Sequence, residues 1–200
     1  MTAAPRAAYF DAIYADDDPF GYRDRWYEAR KRDLLLATLP QRRFARAWEL
    51  GCSNGETTAE LAARCDALLA TDLNIRAVAL ARARTAHLAH VDVQQAQHPG
   101  QWPDGRFDLI VFAEVGYYLS PAELRDTATR LGTSLTDAGV LLACHWLAPF
   151  AQAQQTGRQV HRTLAREAGL QRMFRYRDAD VLLEGWSRDG VSVAARDGLR

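Results

Sequence analysis

Two periodicities divide the chain. Over residues 1–40 the apolar positions recur at helical spacing, with a break at "DDDPFGY" (16–22) and a stop at Pro40. From residue 45 onward, short apolar runs alternate with helical stretches. Strands are expected at 45–50, 67–72, 91–96, 107–115 and 140–147, the last entered through an Asp137-Ala138-Gly139 turn. Helices are expected at about 57–64, 75–86, 122–135 and 158–168, with Pro121 near the start of the third. Two late runs, "QRMFRYR" and "DVLLEGWSR", are joined by only Asp178-Ala179-Asp180, too short for a crossover, so they pair antiparallel.

Strands that are apolar along both faces and alternate with helices imply a parallel sheet covered on both sides. The expected fold is α/β: a Rossmann-like, mostly parallel sheet of seven strands with a C-terminal antiparallel hairpin and helices on both faces. One domain over 1–200 is expected, a helical cap at 1–40 and the core at 41–200. Ligands of such sheets bind beyond the carboxyl ends of the strands, so the residues just after each strand matter most.

Composition changes this picture little. Lys+Arg and Asp+Glu balance at 25 each, so no basic field recruits nucleic acid or an anionic membrane. No apolar run approaches ~18 residues and the N-terminus has no apolar signal core, which suggests a soluble, cytoplasmic protein, a monomer or weak dimer. Cys52, Cys65 and Cys144 lack metal-ligand spacing and read as reduced, buried thiols; no metal is expected. Arg172, Arg175 and Arg177 read as a solvated strand face, and Lys31 is the only lysine.

The chemistry centres on Glu49-Leu50-Gly51-Cys52-Ser53-Asn54-Gly55, between the first strand of the core and a helix. Its letters contain G-x-S-x-G, the nucleophile elbow of serine hydrolases, with Glu114 and then His145 or His161 in triad order. No HGGG-like segment precedes it, and hydrolases place several strands before the serine. A dinucleotide turn would need glycines where Ser53 and Glu56 stand. A third reading uses more residues: glycines at 51 and 55 reverse the chain against a ligand, and Asp72 ends the second strand, where an acid accepts ribose hydroxyls. Asp72 could also simply cap the helix that follows.

On these residues the turn resembles the D/E-x-G-x-G-x-G turn of class I S-adenosylmethionine-dependent methyltransferases, with Ser53 replacing the middle glycine. The likeness extends through "YFDAIYADDDPFGYRDRWYEARKRDLLLATLP", "WPDGRFDLIVFAEVGYYL" and "LLACHW", which together resemble the NodS family of nodulation N-methyltransferases over most of residues 9–147. The resemblance implies S-adenosyl-L-methionine as cofactor, S-adenosyl-L-homocysteine as product, and a small-molecule acceptor such as the amine of an aminosugar or chitooligosaccharide. A hydroxylated acceptor, or cofactor binding without transfer, are the alternatives.

Carried over by the resemblance, Glu49, Gly51, Ser53 and Gly55 hold the methionine moiety, and Asp72 with Leu73 the ribose. Gln95, Ala96 and Gln97 face adenine without the usual aspartate, and Trp26, Tyr27 and Arg30 close over the cofactor, Arg30 pairing with its carboxylate. The alternative for these last three is helix packing plus a surface charge. Glu114 and His145, at the ends of the fourth and fifth strands, are the catalytic candidates, one attracting an ammonium and the other taking a proton. Their alternative is a cofactor contact for Glu114 and a core hydrogen bond for His145. Tyr117, Tyr118 and Trp146 are expected to wall the acceptor.

Overall fold

The computed structural model describes residues 3–200, with side chains from Arg6 onward. Helix α1 (Ala3–Ile13) and helix α2 (Trp26–Ala37) precede the core. Then come β1 (Phe44–Leu50), α3 (Glu56–Ala62), β2 (Cys65–Asp72), α4 (Ile75–Thr85) and β3 (Val91–Gln95). The second half holds β4 (Phe107–Ala113), a 3-10 turn (Gly116–Tyr118), α5 (Pro121–Thr133), β5 (Leu135–Trp146), α6 (Gly157–Glu167), β6 (Gln171–Arg177), β7 (Val181–Ser187) and α7 (Val193–Arg196).

The strands form one sheet in the order β3-β2-β1-β4-β5-β7-β6. Strands β1 to β5 are parallel, while β7 runs antiparallel between β5 and β6. Strand order reverses between β1 and β4, so a crevice opens there at the carboxyl ends.

Alternation along the strands feeds two cores. Trp48, Leu50, Ile110 and Phe112 face α5 and α6 with Leu124, Leu131, Val160 and Leu164. Ala47, Leu109, Val111 and Leu142 face the other side, with Leu35 and Leu39 from α2 and its continuation and Leu61 from α3. Helix starts are set locally: Asn74 caps α4, and Ser120 with Glu123 and Thr156 with Gln159 form capping boxes at α5 and α6.

One expectation needs correction. The Asp137-Ala138-Gly139 turn lies inside β5, which begins at Leu135; its pairing jumps from Phe107↔Leu135 to Leu109↔Val140. Asp108 stabilises this irregularity by accepting from the Thr136 hydroxyl at 3.0 Å. Arg172, Arg175 and Arg177 lie on an exposed strand face, and the first two also reach the buried Glu184 of β7. The three cysteines are buried and free. Among the described residues no helix is long and apolar enough to cross a membrane.

Candidate functional site

A cavity of about 650 Å³ fills the crevice at the switch point, roofed by residues of the segment 6–31. Its floor is the turn after β1, where Gly51 (φ 85°), Ser53 (φ 51°) and Gly55 (φ 84°) all take left-handed backbone. A Cβ on Gly51 would lie 2.2 Å from Val115 Cγ2, and one on Gly55 would lie 2.8 Å from Ala81 Cα. The first glycine admits the loop after β4, and the second lets α3 begin against α4.

Ser53 pays a strain of about 1 kcal/mol for its backbone angle. Its hydroxyl lies 2.6 Å from that of Tyr14, just after α1, so it ties the N-terminal segment to the turn. That contact gives the serine a purpose that a glycine could not serve. Its backbone N–H donates to Asp72 Oδ2 at 2.9 Å, and Asn74 N–H donates to Asp72 Oδ1 at 2.9 Å. Burial pushes the Asp72 carboxyl up, and these N–H groups counter it.

Glu49 sits behind the turn, lining a smaller space and not the main cavity. The Thr58 hydroxyl donates to it at 2.6 Å, and burial pushes its carboxyl up to about 8. A carboxyl that keeps its proton in the folded chain and loses it when unfolded destabilises the fold as pH rises from ~4.5 towards that value. Glu49→Gln removes this proton uptake, so the stability of the variant relative to the wild type should increase between pH 5 and pH 8 (about those values) in urea titrations without ligand. An unchanged difference across that range would place the charge on Glu49 throughout.

Opposite the turn, Glu114 follows β4 with φ 58°, a conformation that costs a non-glycine residue of order 1 kcal/mol. Its carboxylate accepts from Lys31 Nζ at 3.1 Å, from Trp146 N–H at 3.2 Å and from the Tyr117 hydroxyl. Lys31 also meets Glu28 at 2.7 Å. Burial alone would lower the Lys31 ammonium, but Glu114 and Glu28 outweigh it and hold it well above its ordinary value. Burial pushes the neighbouring Glu28 carboxyl up, and Arg25 also lines the cavity, so the corner is a mixed cluster with Glu114 and Lys31 at its centre.

Of the candidate residues, Tyr27, Tyr117, Tyr118, Trp146, Leu73 and Ala96 line the cavity with Gly51, Ser53, Asp72 and Glu114. Several others do not. Trp26 is 74% exposed, and Arg30 is tied to Asp178 at 2.9 Å and Tyr176 at 2.6 Å. Gln95 is exposed and bonds the Leu73 carbonyl, while Gln97 N–H bonds Gln101; neither lines the cavity. His98 stands there instead, its Nδ1 donating to the Gln101 carbonyl at 2.6 Å and burial lowering its imidazole to about 4. Other residues of the site carry no sequence signal of their own: Arg6, Tyr14 and Tyr22 from the N-terminal segment. Lys31 had one, as the single lysine.

His145 is fully buried and does not line the cavity. Alternation along β5 puts it on the face of Leu141 and Ala143, beneath α6. Its Nε2 accepts from Gly116 N–H at 3.1 Å, which leaves its Nδ1–H to donate to His161 Nε2 at 3.1 Å. His161 Nδ1–H then donates to Glu184 at 2.7 Å. The string holds the loop that carries Glu114 and Tyr117, and it leaves His145 away from the cavity where it was expected. Burial lowers both imidazoles, so this stability is lost as pH falls below ~6.5. His161→Ala leaves His145 and Glu184 each short of a partner and should cost about 3 kcal/mol in urea unfolding. A loss below about 1 kcal/mol would mean the string contributes little.

The model of nodulation protein S (NodS) matches residues 10–143. Nodulation protein S of Rhizobium tropici is 36% identical over 135 residues, 64% of this chain and 55% of that protein. That of Sinorhizobium fredii is 33% identical over 127 residues, 62% of this chain and 59% of that protein. The chain thus spans a little over half the length of these relatives. Among solved structures, N-methyltransferase NodS of Bradyrhizobium japonicum with S-adenosyl-L-homocysteine superposes with a TM-score of 0.82 at 25% identity, covering 91% of this chain and 97% of that one. A Pseudomonas syringae chain solved as a candidate methyltransferase gives 0.74 at 45% identity, covering 82% and 100%. This chain belongs to the NodS family and has the Rossmann-like class I methyltransferase fold.

Proposed function

We propose that this protein transfers a methyl group from S-adenosyl-L-methionine to the nitrogen of a small-molecule amine. One observation carries the reading: an acid at the end of β2 and a left-handed turn at the end of β1 meet in one cavity at the switch point, with a second carboxylate opposite. The residues present fit the cofactor. The Gly51–Ser53 backbone would take the methionine end, Asp72 the ribose hydroxyls, and Leu73, Ala96 and His98 the adenine. When bound, S-adenosyl-L-methionine supplies an electrophilic methyl on a positively charged sulfur.

The chain's own part is alignment and charge. Glu114 holds an acceptor ammonium at its corner of the cavity and takes its proton, since only the free amine can attack. Lys31, Tyr117 and Trp146 N–H fix that carboxylate in place, and the N-terminal roof excludes water. An aminosugar amine is the acceptor that the family resemblance suggests; hydroxyl acceptors lack the positive charge that this corner favours. Calorimetry with S-adenosyl-L-methionine and S-adenosyl-L-homocysteine tests the core of the reading: saturable binding of both is expected. Absence of heat for either at millimolar ligand would sink it.

A further inference from the structure

The cavity divides by chemistry. Its β1–β3 side presents the glycine turn, Asp72, Leu73, Ala96 and His98, which suit the cofactor. Its β4–β5 side presents Glu114 among rings that touch in series. Phe10 meets Tyr118 with centroids 5.0 Å apart, Tyr118 meets Phe150 at 5.6 Å, Phe150 meets Tyr117 at 4.8 Å, and Tyr27 meets Trp146 at 5.1 Å.

The polar groups on that side are mostly committed. Arg6 is spent on Glu123 and the Tyr118 carbonyl, the Tyr117 hydroxyl on Glu114, and Lys31 on its two carboxylates. The Tyr27 hydroxyl is buried there without a partner, and Tyr22, Arg25 and Gln152 also line the cavity. We infer that the acceptor is a compact monoamine on an apolar body of about one ring, an arylalkylamine, and not an oligosaccharide. The inference rests on the methyltransferase reading and names the substrate class of that same site.

Three arguments favour it. First, space: a cavity of about 650 Å³ must hold cofactor and acceptor together, whereas a single drug-sized ligand already occupies a pocket of ~300–1,000 Å³. Second, hydrogen bonding: each sugar ring brings several hydroxyl or acetamide groups, and each one buried without a partner costs ~1–3 kcal/mol. The few polar side chains left over, Tyr22, Arg25, Tyr27 and Gln152, match a ligand with few polar groups better than a chain of sugars. Third, charge: Glu114 offers an ammonium a counter-charge inside the cavity, and the tyrosine and tryptophan faces favour a cation beside them.

The step balances as follows from the acceptor's side. The ammonium gives one proton to Glu114, and the freed nitrogen lone pair forms the N–CH₃ bond. The S–CH₃ bond breaks with its electron pair left on sulfur, giving neutral S-adenosyl-L-homocysteine and an N-methylammonium product. Glu114 returns its proton to water when the product leaves.

The test uses the full chain with methyl-labelled cofactor and four acceptors: 2-phenylethylamine, tyramine, glucosamine and a terminally deacetylated chitooligosaccharide. The arylalkylamines should be methylated on nitrogen with kcat/KM at least ~10-fold above glucosamine, and the oligosaccharide should be inert. Phe150→Ala should raise KM for 2-phenylethylamine roughly tenfold, more than it lowers kcat. Preference for either sugar, O-methyl tyramine as product, or inert arylalkylamines on protein that binds S-adenosyl-L-homocysteine would each overturn the acceptor class alone. Absence of that binding would remove the methyltransferase reading and the acceptor with it.

Discussion

Asp72→Ala should weaken binding of S-adenosyl-L-methionine and S-adenosyl-L-homocysteine by roughly 10²–10³-fold. The carboxylate is 9% exposed, lines the cavity, and has each oxygen already oriented by a backbone N–H at 2.9 Å. Each oxygen keeps one free lone pair, enough for the two hydroxyls of a ribose. Hydrogen bonds to a charged acceptor contribute about 1.5–3 kcal/mol each, so losing two costs about 3–6 kcal/mol, and the stated range is the lower part of that. Alanine also leaves Ser53 N–H and Asn74 N–H without acceptors, so stability must be measured in parallel. Ser53→Ala is the control: it keeps the N–H that aligns Asp72, loses only the Tyr14 contact, and should change affinity by less than ~3-fold. Because burial raises the Asp72 carboxyl, affinity in the wild type should begin to fall at a pH above the ordinary carboxylate range. Calorimetry that found wild-type affinity for the Asp72 variant would exclude the carboxylate from cofactor binding.

How much of this was legible in the sequence depends on the distance over which each residue finds its partner. The strands were readable because Trp48, Leu50, Ile110 and Phe112 are apolar on one face and Ala47, Leu109 and Val111 on the other. The carboxyl-end positions of Asp72 and Glu114 followed from strand ends alone. Helix α2 was harder, since its buried stripe is Glu28, Lys31, Arg32 and Leu35. A polar stripe defeats hydrophobic phasing, so Trp26 and Arg30, four residues apart on the other face, were as plausible at the cavity as Tyr27 and Lys31. Arg30 then finds Asp178 and Arg6 finds Glu123, partners more than a hundred positions away that no local pattern announces. His145 was readable in principle. Alternation already set it beside Leu141 and Ala143, but its place after a strand end drew attention to chemistry first.

Glu114→Gln should lower kcat by roughly 10²–10³-fold while shifting affinity for S-adenosyl-L-homocysteine by only a few-fold. The side chain is isosteric, so the left-handed backbone at φ 58° is unchanged and the loss isolates the charge. A carboxylate meets three donors here: Lys31 Nζ, Trp146 N–H and the Tyr117 hydroxyl. An amide can accept on only one atom, so its NH₂ must confront either Lys31 or the other two. The ammonium of Lys31 then keeps Glu28 as its one partner of opposite sign, and the corner loses the Glu114 charge that would face an acceptor cation. Tyr117→Phe removes one donor but leaves that charge, so it should cost only about tenfold. The order of the two effects separates the roles. If Tyr117→Phe were as damaging as Glu114→Gln, the carboxylate would serve to hold the loop. If Glu114→Gln kept most of its kcat, neither proton transfer nor charge at this position would contribute to the reaction. A large loss in kcat with the cofactor still bound is the result expected of a carboxylate whose strained position is maintained for the acceptor.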